Sequence, residues 1–131
     1  MKKLLQLIVC GILVFAASSC SQGVAAIDKA YDQACEASSP EKVATTLCNG
    51  DIKVSTLTED EYAKLGAVIG YITYTGLYSS NFEAQVDMHQ FGDLLKQYRE
   101  HTQTSSERLK IDEMTKNILT NAPVSTTKEN N

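Results

Sequence analysis

Cysteine and histidine are the side chains of this sequence that could bind a metal ion or act as strong nucleophiles. The chain has six of them: Cys10, Cys20, Cys35, Cys48, His89 and His101. No two cysteines have CxxC spacing, so a dithiol redox motif is not indicated. His89 and Asp93, one helical turn apart, would supply two ligands, whereas a zinc site needs three or four. No Ser/His/Asp or Cys/His arrangement stands out, and we predict no metal, no cofactor and no enzymatic activity.

The first nineteen residues have the three parts of a secretory signal. Met1-Lys2-Lys3 supplies positive charge, residues 4–15 are mainly apolar, and residues 16–19 are small. This is the usual order of a charged start, an apolar core and a cleavage site. The apolar run is shorter than the roughly 20 residues that cross a bilayer. We therefore predict that residues 1–19 are a signal peptide.

The residues that follow make the signal more specific. Ala17-Ser18-Ser19-Cys20 resembles a lipobox, the processing site of bacterial lipoproteins. The resemblance implies cleavage before Cys20 and attachment of fatty acyl chains such as palmitate to it. Ser21, rather than Asp, is similar to the pattern of lipoproteins sent to the outer membrane. The alternative is plain secretion, because Ala17 and Ser19 also suit an ordinary signal peptidase.

Cysteine parity bears on the remaining thiols. If Cys10 leaves with the signal and Cys20 is acylated, Cys35 and Cys48 remain as an even pair in an oxidising compartment. We predict a disulfide between them. Two buried thiols are the alternative, because Cys48 lies about eight residues, or roughly 12 Å, into the next helix. A bridge needs Cα atoms roughly 4.4–6.8 Å apart.

The charge of the chain excludes one class of partner. The whole chain carries a formal charge of −4, and loss of Lys2 and Lys3 with the signal would make it more negative. No basic cluster follows the signal, so the electrostatic footprint of a nucleic-acid-binding protein is missing. An acidic body adds no attraction to an anionic membrane, so the acyl chains must hold the protein there.

Residues 58–78 are predicted to form the central helix of the domain. Thr58 and Glu61 have the spacing of a capping box. One face of the helix is aliphatic or aromatic: Tyr62, Leu65, Val68, Ile69 and Ile72. The many β-branched residues leave a strand as the alternative, but no two-residue alternation runs through the segment. Gly66 and Gly70 would let a neighbouring helix approach closely.

Four further segments have helical patterns. They are 24–37, a helix from Pro40 to Asn49 with a left-handed Gly50 after it, 80–101 with inward Ala84, Met88, Phe91, Leu95 and Tyr98, and a final helix with inward Ile111, Met114, Ile118 and Leu119. Ser80/Glu83 and Thr104/Glu107 are two more potential capping boxes. We predict an all-α fold, a small bundle of four or five antiparallel helices around 58–78. The domain would cover 24–121, after a lipidated tether at 20–23 and before a disordered tail at 122–131.

Tyr71, Tyr74 and Tyr78 form a second face on the central helix. Tyrosine suits protein interfaces because it offers a large area and a polar tip with few torsions. The alternative is that the same residues line a semi-buried helix face with their hydroxyls at the rim. We predict a lipid-anchored envelope protein that acts as a protein-interaction or assembly module. The alternative is a small-molecule carrier with a cavity inside the bundle.

Anchoring through Cys20 can be tested directly. Replacing Cys20 with Ser should move the protein from the membrane fraction to the soluble fraction, because a serine cannot carry the thioether-linked lipid. Labelled palmitate supplied to the cells should appear in the wild-type protein only. A wild-type protein that stays unlabelled would exclude the lipid anchor.

Overall fold

The computed structural model describes residues 22–76 and 81–121 of the chain. Every regular element in these two ranges is helical, and neither contains a strand. The predicted all-α bundle is therefore confirmed. The predicted signal peptide, Cys20, Tyr78 and the predicted tail at 122–131 lie outside the described residues.

The helices are named α1 to α6 in chain order. Among the described residues they are α1 (22–35), α2 (Pro40–Asn49), α3 (Glu59–Gly76), α4 (Phe82–Gln85), α5 (Met88–Glu100) and α6 (Ser105–Asn121), with a 3₁₀ turn at Val54–Thr56 between α2 and α3. Gln22 and Gly23, which we assigned to the tether, are already part of α1.

The predicted central helix is α3, and it begins as its sequence indicates. The Thr58 N–H donates to Glu61 Oε1 at 2.8 Å, and the Glu61 N–H donates to Thr58 Oγ1 at 3.2 Å. These reciprocal bonds satisfy donors that the first turn of a helix leaves without partners. All five residues of the predicted face are buried: Tyr62, Leu65, Val68, Ile69 and Ile72. Among α2, α4, α5 and α6, the helices that α3 contacts most extensively are α6 and α2.

Contacts at both ends of α3 show that α6 runs beside it in the same direction. At the start, Lys110 Nζ lies 3.1 Å from Glu59 Oε1 and 2.7 Å from Asp60 Oδ1. At the other end, Tyr71 and Ile118 border one groove. The predicted antiparallel arrangement is therefore wrong for this pair, and α4 and α5 supply the returning connection that two parallel neighbours need.

The helix predicted at 80–101 is interrupted, so this prediction is wrong in detail. Val86 is extended and ends α4, and Asp87 then caps α5. The Asp87 carboxylate accepts from the N–H groups of His89 and Gln90, both at 3.1 Å. Because the break resets the helical phase, Met88 is exposed instead of facing inward. The buried residues of α5 are Phe91 and Leu94.

The predicted disulfide is wrong, since Cys35 and Cys48 do not form a bridge. Cys35 ends α1 beside the turn that leads to α2. Cys48 lies at the far end of the hairpin, where Gln22 Nε2 contacts the Asn49 carbonyl at 3.5 Å. The two thiols therefore lie at opposite ends of an antiparallel helix pair.

Two smaller predictions also change. Gly50 is not left-handed, with φ of −83°, and at this helix end it is Asp51 that has a positive φ, of 47°. Glycine is nevertheless needed at position 50, because an added Cβ would collide with the Cβ of Ala26. Leu119, predicted to face inward, is 50% exposed because α6 turns its Ile118 side toward α3.

The two glycines of α3 should respond in opposite ways to alanine. A Cβ at Gly66 would overlap the Tyr98 hydroxyl and crowd Ile111 at 3.0 Å, whereas a Cβ at Gly70 meets no heavy atom within 4 Å. Gly70→Ala should therefore raise the free energy of unfolding by about 0.5–1 kcal/mol through helix propensity. Gly66→Ala should lower it, by about 1–3 kcal/mol for overpacking.

Thermal melts of the two variants check this pair. Each variant is the control for the other, because both make the same substitution in the same helix. Equal shifts in melting temperature would contradict the close packing at Gly66.

Candidate interaction groove

An apolar groove of about 380 Å³ lies between the C-terminal halves of α3 and α6. Its described lining residues are Ala67, Gly70, Tyr71, Tyr74, Thr75, Thr115, Ile118 and Leu119. None of these residues is charged. Its size is within the range of roughly 300–1,000 Å³ that is typical of ligand pockets.

Tyr71 closes the inner side of this groove. It is buried, and its hydroxyl donates to the Ser38 carbonyl at 2.7 Å. Burial raises the pKa of the Tyr71 hydroxyl. Since a buried hydroxyl is costly without a partner, this bond fixes the ring against the start of α2. Tyr71 is therefore an interior residue, which agrees with the alternative that the tyrosine face is internal.

The two threonines keep their polar atoms within their own helices. Thr75 Oγ1 donates to the Tyr71 carbonyl and Thr115 Oγ1 donates to the Ile111 carbonyl, each at 2.7 Å. A hydroxyl bonded to the carbonyl four residues earlier is already satisfied. The groove therefore offers few polar groups to a ligand, although two of its residues carry hydroxyls.

Tyr74 and Leu119 form the outer rim of the groove. Tyr74 is 70% exposed and Leu119 is 50% exposed. Gly70 lies one helical turn before Tyr74 on α3, is exposed, and leaves open space above it. The structure thus divides the predicted tyrosine face, since Tyr71 is internal and Tyr74 faces outward. Tyr78 is outside the described residues.

A polar and aromatic cluster occupies the opposite end of α3. The Tyr62 and Tyr98 rings stack with centroids 4.8 Å apart, and the His101 ring lies 4.1 Å from that of Tyr62. Gln103 Nε2 donates to both tyrosine hydroxyls, at 3.1 and 3.2 Å, and the Tyr62 hydroxyl donates to the Tyr98 carbonyl at 3.2 Å. The cluster joins α3 to α5 and to the connection that leads to α6.

Glu107 completes this cluster from the first turn of α6. Its carboxylate accepts from the Thr104 N–H at 2.8 Å and lies 3.1 Å from His101 Nε2, and Thr104 Oγ1 accepts from the Glu107 N–H at 3.0 Å. The third predicted capping box is thereby confirmed. The Thr104 N–H, followed by His101, lowers the pKa of Glu107.

The cluster resembles an acid–base site only in composition. Burial raises the pKa of the Tyr98 hydroxyl, and the neighbouring Tyr62 raises it further. A nucleophile or base needs its pKa moved toward the working pH, which is the opposite change. The Glu107 carboxylate caps the start of α6 by accepting from the Thr104 N–H, and His101 contacts the same carboxylate. The arrangement holds α5 and α6 together.

His89, Asp93 and Cys48 border one cleft of about 310 Å³ between α2 and α5. Burial, and then the charge of Asp87, raises the pKa of the Cys48 thiol. A reactive cysteine needs a lowered pKa, so this thiol is the less reactive kind. No group of three or more potential metal ligands occurs among residues 22–76 and 81–121. Gln97, also at this cleft, accepts from the Val54 N–H at 3.0 Å.

Sequence reasoning missed three residues of the groove. Gly70 was interpreted as a packing glycine, but its surface is open. Thr115 was not predicted to line a groove, because threonine is polar in the sequence. Its hydroxyl is satisfied only once the helix forms and the Ile111 carbonyl accepts its hydrogen bond. Leu119 was assigned to the core by its spacing from Ile111 and Ile118. The exposed position of Tyr74 could not be separated from the buried one of Tyr71 without the position of α6.

Comparisons with known proteins give no further guide to this site. No family model, curated protein or solved structure matches the chain. In the described part of the chain, no helix combines the length and the hydropathy needed to cross a bilayer.

The lowered pKa of Glu107 predicts how the fold responds to acid. A carboxyl with a depressed folded-state pKa stabilises the protein fully above its unfolded pKa, about 4.3 for Glu. That stabilisation is lost as the pH falls through the lower folded-state value. The melting temperature should therefore drop below about pH 4, and Glu107→Gln should weaken the drop. Glu113→Gln, an exposed change in the same helix, is the control; an equal effect of both variants would reject the role of Glu107.

Proposed function

We propose that this chain is a lipid-anchored protein of a bacterial envelope, held in the outer membrane by acylated Cys20. Its helical domain then works as a non-enzymatic interaction or assembly module. The anchor is supported by the order of charged, apolar and small residues before Cys20. The interaction role is supported by the groove between α3 and α6.

The observation that carries the interaction role is the exposure of Tyr74 at the rim of an uncharged groove. A tyrosine that is 70% exposed beside a half-exposed leucine leaves apolar area in contact with water. Covering such area favours association, because burial of apolar surface contributes about 25 cal/mol per Å². Tyrosine also loses little conformational entropy when it is fixed in an interface. These properties suit a docking rim.

A small-molecule carrier is the second candidate, and the shape of the groove favours it in one respect. The Tyr71 side is closed and apolar, and the volume of about 380 Å³ is enough for a small ligand. The exposure of Tyr74 at the rim argues for docking, because a carrier usually encloses most of its ligand surface. A substitution that fills the groove distinguishes the two functions. It should displace a protein partner if the groove is a docking site, and a small apolar molecule if the chain is a carrier.

Photo-cross-linking from the rim tests the docking function. A benzophenone side chain placed at Tyr74 should give protein cross-links in intact cells, whereas the same group at Lys96, an exposed residue of α5, should not. Gly70→Gln should remove the Tyr74 cross-links, because a Cβ at position 70 meets no heavy atom within 4 Å and the longer side chain then occupies the groove.

The free energy of unfolding shows whether a tyrosine of this face contributes to the fold or only to docking. Tyr74→Ala should change the free energy of unfolding by no more than about 0.5 kcal/mol, as for most surface changes. Tyr71→Ala should cost about 3–5 kcal/mol, because it removes a buried aromatic ring. The absence of protein cross-links from Tyr74 would overturn docking. Release of a small apolar molecule by Gly70→Gln, detected by mass spectrometry, would favour the carrier instead.

A further inference from the structure

The outer side of α6 carries a stripe of residues that no other described part of the chain covers. It consists of Leu109, Asp112, Lys116 and Leu119, all four exposed, with Leu109 at 67% and Leu119 at 50%. Their spacing of three, four and three residues places them within an arc of about 80° on the helix. This is the a/d spacing of a two-heptad helical seam.

The ion pairs of the described residues make no use of the two charges of this stripe. None of the ion pairs between described residues includes Asp112 or Lys116. The two leucines lie at the ends of the stripe and the two charges lie between them. A surface of this kind combines apolar area with a fixed order of charges, which is how helical seams select partner and orientation.

The order of residues in the stripe is self-complementary. Consider two antiparallel α6 helices related by a two-fold axis that passes between them at the height of residue 114. A stripe residue that lies a given number of positions before 114 then faces the residue that lies the same number of positions after 114 in the second copy. Leu109 then faces Leu119 of the second copy, and Asp112 faces Lys116 of the second copy. Symmetry repeats both contacts, giving two leucine layers outside two opposite-charge layers.

We propose that two copies of this chain associate through antiparallel pairing of their α6 helices along this stripe. The inference rests on the proposed function in taking the Leu119 rim of the groove as an interface. It names the partner as a second copy of the chain. The contact is isologous, because the same patch serves both subunits and closes the assembly at two.

The groove extends this interface beyond the four residues of the stripe. Leu119 belongs both to the stripe and to the groove, where it lies with Tyr74 at the rim. Leu109 of the second copy, facing Leu119, would therefore cover apolar surface next to Tyr74. Two α6 helices alone form a small interface, and attachment to one membrane would raise their effective concentration.

Charge reversal in the full-length chain tests the pairing. Two copies with different C-terminal tags are expressed together, extracted in mild detergent, and measured by the recovery of one tag with the other. Asp112→Lys places Lys opposite Lys116 in both layers and should lower recovery about tenfold or more. The double variant Asp112→Lys/Lys116→Asp should restore recovery, because it exchanges the two charges.

A mixture of single variants gives the sharpest outcome. Chains with Asp112→Lys and chains with Lys116→Asp should each fail to pair with themselves, yet pair with one another. Lys96→Asp, an equal charge change on α5, should leave recovery unchanged, and equal melting temperatures should show that every variant is folded.

Several results would overturn the pairing. They are no self-recovery in the wild type, no loss with Asp112→Lys, or no rescue in the mixture. Cross-links from Tyr74 to a different protein without self-recovery would reject the second copy as partner and leave the proposed function standing. Loss of both self-recovery and Tyr74 cross-links would reject the two together.

Discussion

The packing of this domain depends on the missing side chain at Gly66. The Tyr98 hydroxyl from α5 and the Ile111 side chain from α6 both lie where a Cβ would be. Because Tyr98 can come this close, its ring stacks on Tyr62 and its hydroxyl reaches Gln103. One small residue on α3 thus brings three helices together, and the hydrogen bonds around it satisfy the polar groups that the contact buries.

The two ends of α3 differ in packing, since the first is closed by polar contacts and the second carries exposed apolar surface. At its start, the capping box of Thr58, the pair between Lys110 and Asp60 and the buried tyrosine cluster close the space between helices. Toward its end, no other described residue covers Gly70 and Tyr74 in this way, and an open groove lies between α3 and α6. Polar satisfaction fixes one end, so the other end can keep apolar surface exposed without loss of the fold.

The features predictable from the sequence are those that depend on neighbours within one turn of helix. The capping boxes at Thr58 and Thr104 and the buried face of α3 belong to this class, because both partners lie within a few residues. The Asp87 cap also has a local cause, but the spacing of Ala84, Met88 and Phe91 suggested an unbroken helix. The prediction of a Cys35–Cys48 bridge was wrong because it rested on an even number of thiols, which says nothing about the distance between them. Leu119 and Tyr74 could not be assigned, since their exposure depends on how α6 lies against α3.

The self-complementary stripe on α6 explains why its exposed leucines need not favour uncontrolled aggregation. Leu109 and Leu119 are separated by Asp112 and Lys116, so a partner helix gains both leucine contacts only in a register that also pairs the charges. A parallel partner, or one shifted by a turn, would bring like charges together or leave them unpaired, which disfavours those registers relative to the antiparallel one. The charged residues thus restrict the apolar ones to one geometry, and a two-fold pair has no free copy of this patch left to recruit a third chain.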